Sequence, residues 1–381
     1  MTNNNVPLMQ QAIEPASDTP SHPTSFSAEF HDSAIPAHAE QALHSLYGNV
    51  YSSMPHFRVY GGLDGANTFI LRKGQVPVAV FLFRLTEHSA HILNEGMDVD
   101  DLAITQFANF VFQRYESVDF IAFKGVAHSI KNLAYPFSQC SCTDDSVISL
   151  PESSDAYLQA LGKATRKNIK QYLNRLKREY PTFDFHVHDG RTVDEHLIRK
   201  IIALNRVRFE KKGKVSGVTA EEEERIIQMI RACGIVGAIS IDGVPCAGSL
   251  VYCIGEHYHS WLKAHDPAYD DYRLGLVGSF LMISECIRRG GKTFHLMWGR
   301  EPHKALLNSE LRTFSNLTVY RNHAAALRNC SVLFSQVYQH SMRQGKLWLL
   351  EMERGSGKMS FPIKAGLNGM RKIKTWLPHR S

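Results

Sequence analysis

The sequence contains no long apolar run: nowhere does it reach the roughly 18 to 20 consecutive apolar residues needed to span a bilayer. No Lys or Arg precedes Arg58, so a secretory signal would lack its basic n-region, and the expected location is the cytoplasm. Cysteine is scarce and odd in number. The seven thiols, at 140, 142, 233, 246, 253, 286 and 330, argue against a disulfide framework, and several sit in apolar runs where a thiol behaves as a small hydrophobe. Cys140-Ser141-Cys142 has no second pair and is not a zinc knuckle. Charge of one sign is weak: 43 Lys and Arg against 37 Asp and Glu give +6, far below the field of a duplex-binding protein, so no specific nucleic acid partner is expected. A Gly-x-Ser-x-Gly elbow and a complete Gly-x4-Gly-Lys-Ser/Thr phosphate loop are both missing, which removes the commonest serine-hydrolase and nucleotidase readings.

What is present is a chain of 381 residues, 44% hydrophobic and 21% charged, large enough for more than one core. Residues 1–42, rich in Asn, Gln, Pro, Ser and Thr, read as a disordered leader. Hydrophobic periods then predict strands at 68–72, 76–85 and 88–95, a helix carrying Leu102, Phe107, Phe110 and Val111, and a strand at 118–123. The same order recurs: strands at 235–241, 244–254 and 258–264, a helix at 274–289 and a strand at 293–298. The turns echo as well, Gly74-Gln75-Val76-Pro77-Val78-Ala79 against Gly243-Val244-Pro245-Cys246-Ala247. A hairpin-rich unit ending in a strand, helix, strand crossover is therefore expected twice.

Between the copies, residues 155–180 read as one basic amphipathic helix, with Leu158, Leu161, Ile169, Leu173 and Leu176 opposite Lys163, Arg166, Lys167, Lys170, Arg175, Lys177 and Arg178. A helix at 221–232 opens on an acidic run. Arg206, Arg208, Lys211, Lys212 and Lys214 form a basic patch, read as a solvated loop. His186 and His188, and His257 and His259, each place two imidazoles on one strand face with no third ligand at suitable spacing. They are read as partly exposed strand histidines, and no metal is expected.

The copies differ where a helix begins. Tyr272-Arg273-Leu274-Gly275-Leu276-Val277-Gly278-Ser279 introduces the second helix, whereas the first starts among Asp98, Asp100 and Asp101. Glycines at a helix start let backbone N–H groups approach a phosphate, and Arg273 adds a charge-assisted contact, so only the second copy suits an anion. Close helix packing is the competing explanation for Gly275 and Gly278.

With its neighbours His265-Asp266-Pro267, Tyr269 to Tyr272, and Trp298-Gly299-Arg300-Glu301 followed by Lys304, this segment resembles the GNAT-type acyltransferases. The likeness is to the CelD-like branch associated with cellulose and exopolysaccharide biosynthesis, which is similar in architecture to the Fem-type transferases. It covers about residues 157–320. Arg273 and Gly278 fit the outer places of the family's Arg/Gln-x-x-Gly-x-Gly/Ala motif, while Leu276 holds the first glycine position and Gly275 stands one residue early.

The resemblance implies an α/β fold of two tandem GNAT-like units with mixed sheets and flanking helices. Residues 43–150 form a degenerate first unit, 151–195 a basic helical connector, 196–323 the acyl-CoA-binding unit, and 324–381 a helix and basic tail. It implies acyl-CoA as co-substrate and an amine or hydroxyl acceptor in envelope polysaccharide, lipid or peptidoglycan-precursor metabolism. The strands at 258–264 and 294–298 are expected to splay, with backbone N–H groups near Leu262 to Ala264 polarising the thioester. Arg273, Gly275, Val277, Gly278, Ser279, Trp298 and Lys304 complete the expected donor site. Candidate bases are His265, Asp266, Asp270 and Glu301, although Asp266-Pro267 is equally good turn chemistry and Glu301 equally a partner of Arg300 or Lys304. Two other readings remain: a Fem-type transferase using aminoacyl-tRNA, and a non-catalytic module touching a membrane through the basic tail and Trp376.

Overall fold

The computed structural model describes residues 26–127, 130–211 and 213–354. Lys212, the first 25 residues of the expected leader, and the basic tail from residue 355 with Trp376 lie outside the described residues. The leader was expected to extend to residue 42, but strand β1 (Phe26–His31) and helix α1 (Ala37–Tyr47) occupy its second half. A single 3-10 turn at Val50–Ser52 and helix α2 (Met54–Tyr60) follow. Strands β2 (Asn67–Lys73), β3 (Val76–Leu85) and β4 (Ser89–Met97), helix α3 (Asp101–Arg114), and strands β5 (Phe120–Val126) and β6 (Phe137–Ser149) complete the first half.

The expected single helix at 155–180 is two, α4 (Ser154–Ala160) and α5 (Lys163–Glu179), because Leu161 is extended and Gly162 caps the second. Then come β7 (Asp184–Asp189), α6 (Glu195–Lys211), α7 (Ala220–Cys233), β8 (Gly234–Ile241), β9 (Val244–Ile254), β10 (His257–His265), α8 (Leu274–Arg288), β11 (Thr293–Trp298), α9 (Pro302–Ala305) and β12 (Glu310–Tyr320). Helices α10 (His323–Arg328) and α11 (Cys330–Arg354) follow. The basic patch read as a loop is largely the end of α6, which holds Arg206, Arg208 and Lys211. No helix among the described residues is long and apolar enough to cross a membrane.

All twelve strands form one sheet in the order β1-β2-β3-β4-β5-β12-β6-β11-β10-β9-β8-β7. Exchanging each strand of the first half for its counterpart six places on reproduces the same order reversed, so the sheet has an internal two-fold symmetry. Parallel pairing occurs only at β4 with β5 and at β10 with β11, the crossover strands of the two copies. The turn echo has a structural counterpart: pairing skips one residue just after the proline in both copies, Val78 after Pro77 and Cys246 after Pro245.

The units are not cut where the sequence suggested. Strand β6, from the first half, pairs with β11 of the second, while β12 pairs with β5 of the first, and the two exchanged strands pair with each other. Phe69, Phe81, Phe83, Phe107 and Phe123 pack in the first core with α3. In the second half, α6 and α7 cover one face of β8 to β10 and α8 covers the other, with α4 and α5 against α8. Burying each large apolar side chain contributes about 1.5–3 kcal/mol, so both faces are well supplied.

Candidate functional site

The two copies differ at their parallel strand pairs. Strands β4 and β5 pair from Ser89 opposite Phe120 to Met97 opposite Val126, resuming after a register shift between His91 and Glu95. Strands β10 and β11 pair only at His257, Tyr258 and His259 against Thr293, Phe294 and His295, and then part. A break in the β9 register at Trp261 and another between His295 and Trp298, where Met297 has φ of 60°, bend the two strands away from each other.

The helix starts differ in the same sense. Helix α3 is closed: Asp100 accepts from the Ala103 N–H, and Asp101 accepts from the Lys131 and Asn132 N–H groups. Helix α8 has no side-chain cap; Arg273 precedes it in the left-handed region, and its first intrahelical bonds begin at the Leu276 and Val277 N–H groups. The Leu274 and Gly275 amides therefore remain as donors, with the positive end of the helix behind them.

These amides face a cleft of about 940 Å³ bounded by α8, β8 to β10, α5 and the α9 segment. Ala264, His265, Asp270, Arg273, Gly275, Gly278 and Ser279 from the expected set line it. A Cβ built on Gly275 would lie 3.8 Å from His265 Nδ1, and one on Gly278 would lie 3.5 Å from Ile239 Cδ1. Both are ordinary contacts, so close packing does not require these glycines. Their absent side chains leave the backbone open to the cleft instead.

His265 Nε2 and Asp270 Oδ1 are 2.8 Å apart, and Asp270 Oδ2 receives Lys211 Nζ at 2.9 Å. Lys211 and then His265 hold the Asp270 carboxyl below its usual range. This trio stands at the start of α8, at one end of the cleft. Lys263, which the sequence reading overlooked, projects into the cleft and donates to Ser279 Oγ at 3.1 Å. Burial, with Arg208 and Lys304 adding, lowers its ammonium to about 8. His303 on α9 also lines the cleft and is lowered by burial and by Lys263.

Other expected residues lie elsewhere. The Leu262 side chain is buried on the α6 side, and that of Ala264 packs in the same core although Ala264 also borders the cleft. The Asp266 N–H donates to Cys246 O at 2.7 Å, which by strand alternation turns the amides of 262 and 264 towards β9 and that of Lys263 towards the gap. Lys263 is therefore the backbone donor at the splay, and its carbonyl accepts from Arg208 at 3.2 Å. Asp266 caps the turn before α8 by accepting from the Ala268 N–H. The Val277 side chain is buried under α8. Lys304 does not reach the cleft as a phosphate ligand: its ammonium donates to Met297 O at 2.8 Å and Trp298 O at 2.6 Å and pairs with Glu301 at 2.9 Å. Burial raises the Glu301 carboxyl, but Lys304, the Glu301 backbone N–H and His303 together outweigh it and the net shift is downward.

Trp298 belongs to an aromatic group outside the cleft lining. Its ring stacks on Tyr51 at 5.3 Å, its indole N–H donates to Tyr51 Oη at 2.9 Å, and Trp261 and His56 flank the same tyrosine. Tyr51 comes from the first half, between α1 and α2. Burial pushes its hydroxyl up to about 12, with the charges of Glu95 and Asp145 adding to it. The paired histidines are also rearranged: His259, expected to be partly exposed, is buried, donates to Gly48 O at 3.1 Å and stacks on His295 at 4.3 Å. His186 and His188 remain an adjacent pair on β7. On the first unit's edge, Glu29, His31 and His38 bring ligand atoms within 4.8 Å of one another, with Arg72 donating twice to the far oxygen of Glu29.

Comparison with known proteins bears on this half of the chain. Residues 163–305, from the start of α5 to the end of α9, match the family model described as an acetyltransferase (GNAT) domain. Among solved structures, FemX is similar over 78% of this chain and 99% of its own, at 10% identity and a TM-score of 0.57, a likeness of fold. L-PGS from Bacillus licheniformis aligns over 78% of this chain and 94% of its own at 14% identity, with a TM-score of 0.44. A tandem GNAT protein from the clavulanic acid biosynthesis pathway aligns over 77% and 98% at 11% identity, with a TM-score of 0.36. A search of the curated proteins by sequence gives no match.

Proposed function

We propose that the second unit transfers an acyl group from acyl-CoA to an amine or hydroxyl acceptor, with the donor in the cleft beneath α8. The observation that carries this reading is the contrast between the copies: only β10 and β11 part, and only α8 presents an uncapped start to a cleft. The Leu274 and Gly275 amides and Arg273 receive the pyrophosphate, and His265, held by Asp270, stands beside it. The pantetheine arm runs along Ser279 and Lys263 towards the gap. There the Lys263 N–H stands where charge develops on the thioester oxygen. The first unit, closed at both corresponding places, shapes the acceptor side through Tyr51. An acceptor in envelope polysaccharide, lipid or peptidoglycan-precursor chemistry follows from the family resemblance.

Titration calorimetry with acetyl-CoA and longer acyl-CoAs tests the reading, repeated on Gly278→Glu. Saturable binding lost in the variant supports it; a folded protein that binds no CoA species overturns it.

One observation favours an aminoacyl-tRNA donor of the Fem type. Helix α5, whose Asn168 and Tyr172 line the cleft, carries seven Lys and Arg residues against the single acid Glu179. Saturable binding of aminoacyl-tRNA with a steep salt dependence, and none of acyl-CoA, decides for that donor.

A further inference from the structure

Where β10 and β11 cease to pair, a group of buried polar side chains takes no part in the donor site. Asp145, His259 and His295 are 3%, 2% and 6% exposed. His295 Nδ1 lies 2.6 Å from Asp145 Oδ2, His295 Nε2 lies 2.9 Å from Thr293 Oγ1, and Thr293 Oγ1 lies 2.7 Å from His257 Nδ1. With Asp145 a carboxylate and a single proton on His295, the bonds all run one way. The His257 Nδ1–H donates to Thr293, the Thr293 hydroxyl donates to His295 Nε2, and the His295 Nδ1–H donates to the carboxylate. Glu256, Lys292 and His44 stand around His257, and the neutral ring of His259 lies against His295.

This chain satisfies one oxygen of Asp145 and leaves the other without a partner among the described residues, although it is buried. An unpaired buried carboxylate oxygen costs several kcal/mol, roughly, and a fold retains one where something else supplies the donor. Its position indicates what that is. Asp145 is the register partner of Trp298 on β11, and the Tyr51 hydroxyl bonded to that tryptophan senses its charge. Asp145 is thus beside the strand gap, at the aromatic group, brought there from the first half by the exchanged strand β6.

We infer that Asp145 Oδ1 receives the transferable proton of the acyl acceptor, and that His295, Thr293 and His257 hold that carboxylate aimed; this rests on the reading of the second unit as the transfer site. The acceptor nitrogen or oxygen bonds to the thioester carbonyl carbon, its proton passes to Asp145 Oδ1, and the carbon–sulfur bond breaks. CoA leaves with the electron pair, and the proton ends on its sulfur, returning Asp145 to the carboxylate. Trp298 and Tyr51, both partly exposed, are the side chains an acceptor displaces to reach it. Asp145 is the catalytic residue here; His295, Thr293 and His257 are positioning residues.

The test compares wild type, Asp145→Asn, Thr293→Val and Thr293→Ser. Each is titrated with acetyl-CoA, and each is assayed for acetyl transfer to hydroxylamine, a small acceptor that is uncharged at neutral pH. In Asp145→Asn, unchanged acetyl-CoA binding with turnover reduced by about 100-fold or more is expected. Thr293→Val should lower kcat by about 10-fold with KM for acetyl-CoA unchanged, and Thr293→Ser should restore it, a split that a loosened fold does not give. Nitrogen-15 shifts of the imidazoles should show His295 neutral with its proton on Nδ1. The inference is overturned by Asp145→Asn turnover within threefold of wild type, by a His295 proton on Nε2, or by a wild type that binds acetyl-CoA yet transfers nothing to hydroxylamine. A wild type that binds no acetyl-CoA strikes the donor reading first, and this inference falls with it.

Discussion

The Lys263 ammonium donates to the Ser279 hydroxyl across 3.1 Å, and Ser279 in turn donates to Gly275 O at 2.7 Å, so a floor strand of the cleft is tied to the first turns of its roofing helix. Burial lowers this lysine to about 8, so it loses its charge as pH rises from 7 to 9. Acetyl-CoA affinity should fall across that interval. The unfolded chain keeps this proton up to the usual lysine range near 10.4, so the group's own contribution to stability rises with pH between about 8 and 10.4. Affinity and stability therefore move in opposite directions. Calorimetry and denaturant titration at pH 7, 8 and 9 check this, and Lys263→Met should flatten both curves.

Replacing Gly278 by Ala separates packing from phosphate recognition. The nearest atom to the added Cβ, Ile239 Cδ1, is at 3.5 Å, and a helix interior gains up to about 1 kcal/mol from the exchange. The denaturation midpoint should hold or rise while acetyl-CoA binding weakens. Unchanged binding would place the phosphates elsewhere.

His265 and Asp270 were candidate bases in the sequence; under the proposed donor site their place beside Gly275 gives them a donor-binding role instead. His265→Gln should raise KM for acetyl-CoA by about 5- to 10-fold with kcat within twofold, and Asp270→Asn should do the same to a lesser degree. Steady-state kinetics with varied acetyl-CoA decide; a fall in kcat alone would return them to proton transfer.

Much of the second half could be read from the sequence because its strands are local. The hairpin of β8 and β9 turns at Asp242 and Gly243, both with positive φ, and its buried residues come in nearly unbroken apolar runs. Strand β6 gave no such signal. Its Ser-Gln-Cys-Ser-Cys-Thr-Asp-Asp stretch looks like a surface loop, yet Asp144 is buried because Arg300, Thr313 and Arg343 from distant segments satisfy it. Strand β12 was missed for a related reason, since its partners are β5 and β6 rather than any neighbour in the chain. At the site, the helix start and glycines were legible as a motif. Lys263, Tyr51 and Asp145 were not, because each acquires its role from a residue on another element.

Gly190 offers a purely structural check on the second half. A Cβ there would meet Ile230 O at 2.0 Å and Gly234 O at 2.4 Å, both backbone atoms that cannot rotate away. Gly190→Ala should cost at least about 2 kcal/mol by denaturant titration, without altering the cleft chemistry in the fraction that stays folded.

The interchange of β6 and β12 sets an order of events during synthesis. A ribosome releases β5 long before β12, and β5 meets no lasting neighbour on its open side until residues 310–320 emerge. The early half of the nascent chain therefore carries an unpaired edge of apolar strand, the kind that recruits other chains, for most of the time translation takes. Arrest at about residue 300 should leave a protease-sensitive, chaperone-bound species, and release of the last strand should close both halves together.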